Sequence, residues 1–572
     1  MSQANKTIVP EDVDLLVIGA GAGGMTTALI AALEGLRVVL CEKTGQAGGT
    51  TSTSGGTTWV PGNSLGAEIG APDDARDAAA FLRHVTGDRD GEDLRQAFLA
   101  SGRAAIDDLQ NRSEVKFAAS AAHPDYLDGP GSAWGGRALG PLPFDGRLLG
   151  DDFPRVRPPR REFMGLGGMM VGRAEIDALL NPFGSVANFR NGTGIVLRYL
   201  KDRLRHPRGT RLLMGNALVA RLLFSLRRLN VPVLFDTSLD QLLVEDGRVT
   251  GTSLRDPQGG RVIRARRGVV LATGGIGWND AIRTRLFPEA TRGLSLSPET
   301  NTGDGADAAM RIGARLTDGG DSPALWMPCS TFRRADGQLA VWPHILLDRA
   351  KPGLLAVDAS GQRFVNESDS YHDFCMGQIR KGRPAIPAWL ICDAAFIRRY
   401  GLGMVLPGGR GLRAMLKAGY LLTAPDLTTL AERIGVGAEA LTRTVARYNQ
   451  FATSGEDSDF GRGTSAMNRF NGDAQAGGAN PCLGPVGPGP FYALAVTPAD
   501  LASSAGLAGD IHGRVLDQAG APIAGLYAVG NDLASIFGGT YPGPGTTIGP
   551  ALVFGWRVAR HAAGLPTPDR LD

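Results

Sequence analysis

The chain has 572 residues, more than one hydrophobic core normally serves, so two domains, or one large domain carrying an insertion, are expected. Its 60 basic and 57 acidic residues leave a formal charge of +3, which argues against charge-driven nucleic-acid binding, and its 81 glycines gather in turn-like motifs without a repeat, which excludes collagen-like chains. Five cysteines, at 41, 329, 375, 392 and 482, contain no CxxC pair, so neither a disulfide scaffold nor a zinc or other metal site is expected, and a reducing cytoplasm fits.

In chain order, the first apolar run, Val13 to Ile18, is too short to span a bilayer and reads as a buried parallel strand. Gly19, Gly21 and Gly24 follow as a GxGxxG turn into an apolar helix from about Met25 to Leu33, and a second strand from Leu36 to Cys41 delivers Glu42, with Lys43 beside it, at a distance suited to a ribose hydroxyl. Strand, glycines, helix, strand and acid in that order signal a dinucleotide far more strongly than glycines alone. NAD and FAD both use such a unit. The next loop favours FAD, because Gly49, Thr50, Thr51, Ser54, Gly55 and Gly56 offer hydroxyls and bare amides suited to the diphosphate and flavin end of a long dinucleotide. Two later stretches repeat the strand-to-glycine pattern, one ending in Ala272, Thr273 and Gly274, the other in Gly530 and Asn531. Three separated segments converging on one cofactor is a flavin-enzyme layout.

Residues 195–229 place arginine and leucine at helical spacing. A helical pair packed on the flavin-binding part with solvated arginines is the expectation, and peripheral contact with an anionic lipid surface is the alternative. Residues 427–451 are patterned as two helices around a break at Gly435 and Gly437, and 461–490, rich in Gly, Asn and Pro, read as a surface loop. Near the end, Tyr541 stands in a Pro- and Gly-rich turn with Gly545, ahead of a helix starting near Thr547 and Ile548. A phenol and bare amides beside a helix start make an oxyanion site able to polarise a ketone.

These segments, together with Asn301 to Gly305, which contains Asp304, and Gly361 to Glu367, resemble the fumarate reductase and succinate dehydrogenase flavoprotein superfamily. Some of its members bind FAD covalently through a histidine in the first flavin loop. This chain has no histidine before His84, so noncovalent FAD is expected. Within the superfamily the chain is similar to the 3-ketosteroid Δ1-dehydrogenases over nearly its whole length. Pro124-Asp-Tyr126 with Gly135-Gly-Arg137, Asn366 to Tyr371, and Thr540 to Gly545 carry that likeness.

The resemblance implies an α/β fold: a Rossmann-like FAD-binding domain with an inserted α+β substrate (cap) domain. Residues 1–320 and 490–572 would form the first and 321–489 the second. It also implies roles. Tyr541 and the Gly545 N–H would hold the 3-keto oxygen, Tyr371 would take a C2 proton as base, and Tyr126 would be its partner, while FAD receives hydride from C1. Because free tyrosine titrates near pH 10, Tyr371 needs a lowered pKa or a proton relay; the expectation is that Tyr126 stabilises its phenolate. A 3-ketosteroid substrate and a quinone or artificial electron acceptor follow, since no second dinucleotide motif is present for NADPH. Ser503 and Ser504 depart from the family pattern and are expected to alter a substrate or flavin contact. The alternatives are a 3-ketosteroid Δ4-(5α)-dehydrogenase, a soluble fumarate reductase-like enzyme, for which Arg333 and Arg334 are the candidate cations, and a flavin-binding protein without turnover.

Overall fold

The computed structural model describes residues 11–571 apart from 173–174, 335 and 346–347. Its larger sheet is parallel at its centre. The strand Asp12–Ile18 lies between Val38–Cys41 and the end of Gly259–Leu271, which in turn pairs in parallel with Pro522–Ala528. The register aligns Ile18 with both Cys41 and Leu271, and Leu271 with Ala528. Four chain segments therefore leave the sheet at one level. Gly19, Glu42, Ala272 and Val529 are the residues that emerge there, so the register itself gathers the cofactor segments at the carboxyl ends of the strands.

The first helix runs Ala22–Leu33, one turn earlier than expected. Gly23 and Gly24 belong to it because they are packing surfaces: a Cβ on Gly24 would sit 2.0 Å from the Gly19 carbonyl oxygen, and Gly23 faces the backbone of Gly530 and Ala551. Gly19 has φ +110°, and a Cβ there would meet the Ala272 carbonyl oxygen at 2.1 Å. Only glycine joins strand to helix at that spacing. The second strand starts at Val38, because Leu36 is still tied to the preceding helix by its N–H to Ala31.

A second, antiparallel sheet is ordered Leu339–Pro343, Ala324–Arg333, Phe491–Ser503, Ala388–Asp393, Leu354–Val357. Its strand Phe491–Ser503 runs beyond residue 489. The helix Tyr371–Lys381 packs on Ala324–Arg333, and the pair Leu427–Ile434 and Ala438–Ser454 flank Gly435, whose φ of +71° ends the first of them, as the sequence indicates.

Residues 195–229 divide. Met214–Arg228 is a buried helix against the first helix of the chain, as expected. Val186–Arg203 is not packed in that way: Leu197, Leu200 and Leu204 are exposed, as are Phe183 and Val186 at its start. No described helix is long and apolar enough to cross a membrane. The 461–490 stretch departs from the surface loop expected. It contains a short helix, Ala466–Asn471, and buries Arg462, Asn468 and Cys482. Its polar residues face inward because they satisfy a polar turn, described below.

Candidate active site

A cavity of about 390 Å³ opens where the strand ends meet the second sheet. Gly19, Gly21, Gly24, Glu42, Lys43, Gly49, Thr50, Thr51, Ser54, Gly55, Gly56, Ala272, Thr273, Gly274, Asp304, Gly530, Asn531, Thr547 and Ile548 all line it, and so do Tyr126, Tyr371, Tyr541 and Gly545.

The nucleotide half is made mostly of main chain. Gly21 caps the first helix without a side-chain bond, and nothing lies within 4 Å of where its Cβ would be, so helix amides and open space coincide. That is the environment a diphosphate requires. Glu42 is held rigid: it accepts from the Ala20 N–H at 3.0 Å and from the Thr44 N–H and hydroxyl at 2.9 Å each. Lys43 pairs with Asp304 at 2.8 Å and donates to the Thr302 hydroxyl at 2.7 Å. Buried Asp532 accepts from the Gly275 N–H at 2.9 Å and the Thr273 hydroxyl at 2.8 Å, locking one glycine turn to the next. Thr547 begins the helix Ile548–Ala563, again without a side-chain cap, presenting a second set of amides to the cavity. Bare amides, fixed ribose-type acid and two uncapped helix starts fit FAD.

The other half is phenolic. Tyr126 and Tyr541 are stacked at 5.6 Å between ring centroids, and Tyr371 stands edge-on to both, at 5.5 and 5.2 Å. Each is placed by a different device. Tyr126 is tied to the Tyr541 turn by its N–H to the Pro542 carbonyl at 2.8 Å. Its neighbour Asp125 accepts from Trp59 Nε1 at 2.8 Å and Arg137 Nη1 at 2.6 Å, so Arg137 of the family-like segment is a structural anchor. Tyr371 opens its helix after the cap Ser370, whose hydroxyl accepts the Asp373 N–H at 3.0 Å. The preceding turn is braced from 461–490: Arg462 reaches Glu367 at 3.1 Å, and Asn468 contacts Asn366 at 2.9 Å and Asp369 at 3.1 Å. Gly545 has φ +97°, and a Cβ would strike the Thr57 carbonyl oxygen at 2.3 Å. Its own carbonyl accepts from Gly549 and Trp59.

Burial pushes the Tyr541 hydroxyl up, partly offset by hydrogen bonds with Tyr371, Thr546 and Thr547, so it is a neutral donor at neutral pH. Tyr371 is raised well above the ordinary tyrosine value, first by burial, then by the neighbouring phenols, and its hydrogen bonds to Tyr541 and Tyr126 raise it further. The contact with Tyr126 raises Tyr371 and lowers Tyr126, whose net shift is still upward through burial.

Ser503 and Ser504 do not line the cavity. Their hydroxyls go to the Asn531 and Gly319 carbonyls, and Ala502 is the lining residue instead. Arg333 and Arg334 also lie outside, bonded to Gly337 and Glu162. The cavity's cations are Arg157 and Arg160, which no motif singles out, along with Lys43.

A dinucleotide cradle facing a ketone-polarising phenol cluster defines a flavoprotein dehydrogenase. A family model described as FAD binding domain matches residues 14–548. The 3-oxosteroid 1-dehydrogenase of Mycolicibacterium smegmatis is 37% identical over 98% of this chain and 99% of its own length. The 4-oxocyclohex-2-ene-1-carboxylate 5-dehydrogenase of Sinomonas cyclohexanicum is also 37% identical, over 98% and 95%. The crystal structure of 3-ketosteroid Δ1-dehydrogenase from Sterolibacterium denitrificans, in complex with 1,4-androstadiene-3,17-dione, superposes with a TM-score of 0.89 at 33% identity, covering 97% of this chain and all of that one. The chain belongs to this FAD-binding family, among the FAD-dependent CH–CH oxidoreductases that include the 3-oxosteroid 1-dehydrogenases.

Proposed function

We propose that the chain desaturates the A ring of 3-ketosteroids between C1 and C2. The observation that carries this is the contact of Tyr126, Tyr371 and Tyr541, from three separate segments, beside Gly545. The named substrates of the relatives above share a cyclic ketone, which such a site is suited to hold. Tyr541 and the Gly545 N–H donate to the ketone oxygen and stabilise the charge that develops there as C2 loses its proton. Because burial holds Tyr371 protonated, the proton relay is the route left open. Tyr126, only partly buried, gives its proton to water, Tyr371 passes its own to the adjacent Tyr126, and the Tyr371 phenolate takes the C2 proton. Bound FAD supplies the acceptor for the hydride from C1.

The fold reading behind this is a Rossmann-like FAD-binding domain of 1–320 and 490–572, with 321–489 as the substrate-covering cap. The parallel centre of the larger sheet and the antiparallel second sheet support it. FAD would be noncovalent, its electrons passing to a quinone or an artificial acceptor. A weak lipid contact is supported by the exposed leucines of Val186–Arg203, and absence of liposome co-sedimentation at low salt would exclude it.

Anaerobic mixing with 4-androstene-3,17-dione tests the activity. Bleaching of the flavin with a 1,4-diene product supports it. Bleaching only by a 5α-saturated 3-ketone, giving the 4-ene, moves the assignment to Δ4-(5α)-dehydrogenation. Stoichiometric FAD without bleaching by any ring ketone leaves a binding protein.

A further inference from the structure

Of the cavity's cations, Lys43 pairs with Asp304 and Arg157 donates to the Thr44 hydroxyl at 3.3 Å beside Glu42, which leaves Arg160. Arg160 lines the cavity among Phe163, Leu296, Met327, Pro343 and Ile345, an otherwise apolar wall. Its guanidinium gives one hydrogen bond, from Nη2 to the Leu296 carbonyl at 2.5 Å, and among the described residues it has no carboxylate partner. The acids nearby are committed elsewhere. Glu162 pairs with Arg334, and Asp500, whose carbonyl accepts the Leu296 N–H, has its carboxylate taken by Arg283 at 2.6 Å and Ser295 at 2.7 Å. The two acids lining the cavity, Glu42 and Asp304, are held at the nucleotide end by Thr44 and Lys43.

Three buried arginines are neutralised, Arg137 by Asp73 and Asp125, Arg283 by Asp500 and Arg363 by Glu367 and Asp457, and two without an ion pair, Arg208 and Arg349, spend their donors on Asn216 and on main-chain carbonyls. Arg160 pays burial without that return, and its acidity rises accordingly, burial lowering its pKa. A desolvated guanidinium with free donors facing a substrate volume is costly until an anion fills it, and its planar fork matches a carboxylate.

We propose that Arg160 receives a carboxylate carried by the ketone substrate, whose ketone oxygen is held at the same time by Tyr541 and Gly545. This rests on the ring-ketone reading above and narrows it. The carboxylate has two sources, the side chain of a steroid acid or a single-ring keto acid, which hold it at very different distances from the ketone, so Arg160 suits one of them.

The test uses the FAD-loaded enzyme and two acid and methyl-ester pairs, 4-oxocyclohexanecarboxylate and 3-oxo-4-cholen-24-oate, with 4-androstene-3,17-dione as the uncharged steroid. Binding is read from the shift of the oxidised flavin spectrum on titration and turnover from anaerobic bleaching. One acid is expected to bind about 100-fold more tightly than its ester, and Arg160→Gln to bring that acid down to the ester's level, with Arg160→Lys retaining part of the preference. The pair showing the preference identifies the ring system. Equal dissociation constants for acid and ester in both pairs would overturn the proposal, as would loss of FAD from Arg160→Gln with the preference intact in whatever holoenzyme remains. Absence of bleaching by every ketone, with the acid preference retained, overturns the desaturation reading and leaves the carboxylate site standing.

Discussion

The two halves of the cavity are built from different materials. Its nucleotide half rests on backbone: glycines at positions a Cβ cannot enter, helix amides, and strand ends brought level by sheet register. The substrate half rests on side chains, three phenols and an arginine, each propped by its own polar turn or apolar wall. A backbone site tolerates almost no substitution but demands little of side-chain identity elsewhere. A side-chain site can be changed one residue at a time while the fold persists.

That contrast can be broken first at Gly19. Gly19→Ala places a methyl 2.1 Å from a carbonyl oxygen, so the variant is expected to lose FAD altogether, read from the ratio of flavin to protein absorbance. Full FAD content there would refute the backbone account. In the other half, Tyr541→Phe should retain FAD while flavin reduction slows by about 100- to 1000-fold, the usual effect of deleting one donor to a developing oxyanion. The anchor behind the phenols comes next. Arg137→Met leaves Asp125 buried without its cation, and a loss of about 3–5 kcal/mol of stability is expected by chemical denaturation.

Smaller and more discriminating is Tyr126→Phe, for which a loss nearer 100-fold than the larger effects of general-base deletion is expected. Because the Tyr371 value is raised, its deprotonated fraction grows with pH throughout the accessible range. The kcat/KM of the unmodified enzyme should therefore climb with no plateau below about pH 10. A plateau near neutrality would remove the relay. The smallest effect lies in the brace. Burial pushes Asp369 up to about 7, so the folded chain holds this proton more firmly than the unfolded one; the stability it contributes in acid is lost as pH rises through that value. Asp369→Asn should flatten the change in melting temperature across that window.

Much of the nucleotide half was legible because its requirements are local: a glycine turn, a following strand and an acid occupy consecutive positions. The tyrosines were legible through their family-like segments, although sequence alone does not bring three distant rings into contact. Arg160 was not legible, since arginine in a chain with so many arginines carries no signal until its neighbours are seen to be apolar. The 461–490 stretch misled for a related reason. Its Asn, Gly and Arg residues resemble a solvated loop, and only the buried turn at 366–370 shows what they serve. The exposed leucines of Val186–Arg203 were likewise hidden by a spacing that suits packing as well as exposure.

The chain enters the second sheet along Ala324–Arg333 and leaves it along Phe491–Ser503, and these strands are hydrogen-bonded to each other from Ala324 opposite Ser503 to Cys329 opposite Thr497. Tyr371 rides on the helix packed against that ribbon, whereas Tyr126 and Tyr541 are fastened to each other by the Tyr126 N–H and Pro542 carbonyl. The ring cluster therefore draws on both sheets at once, and a change in the placement of either reaches all three phenols.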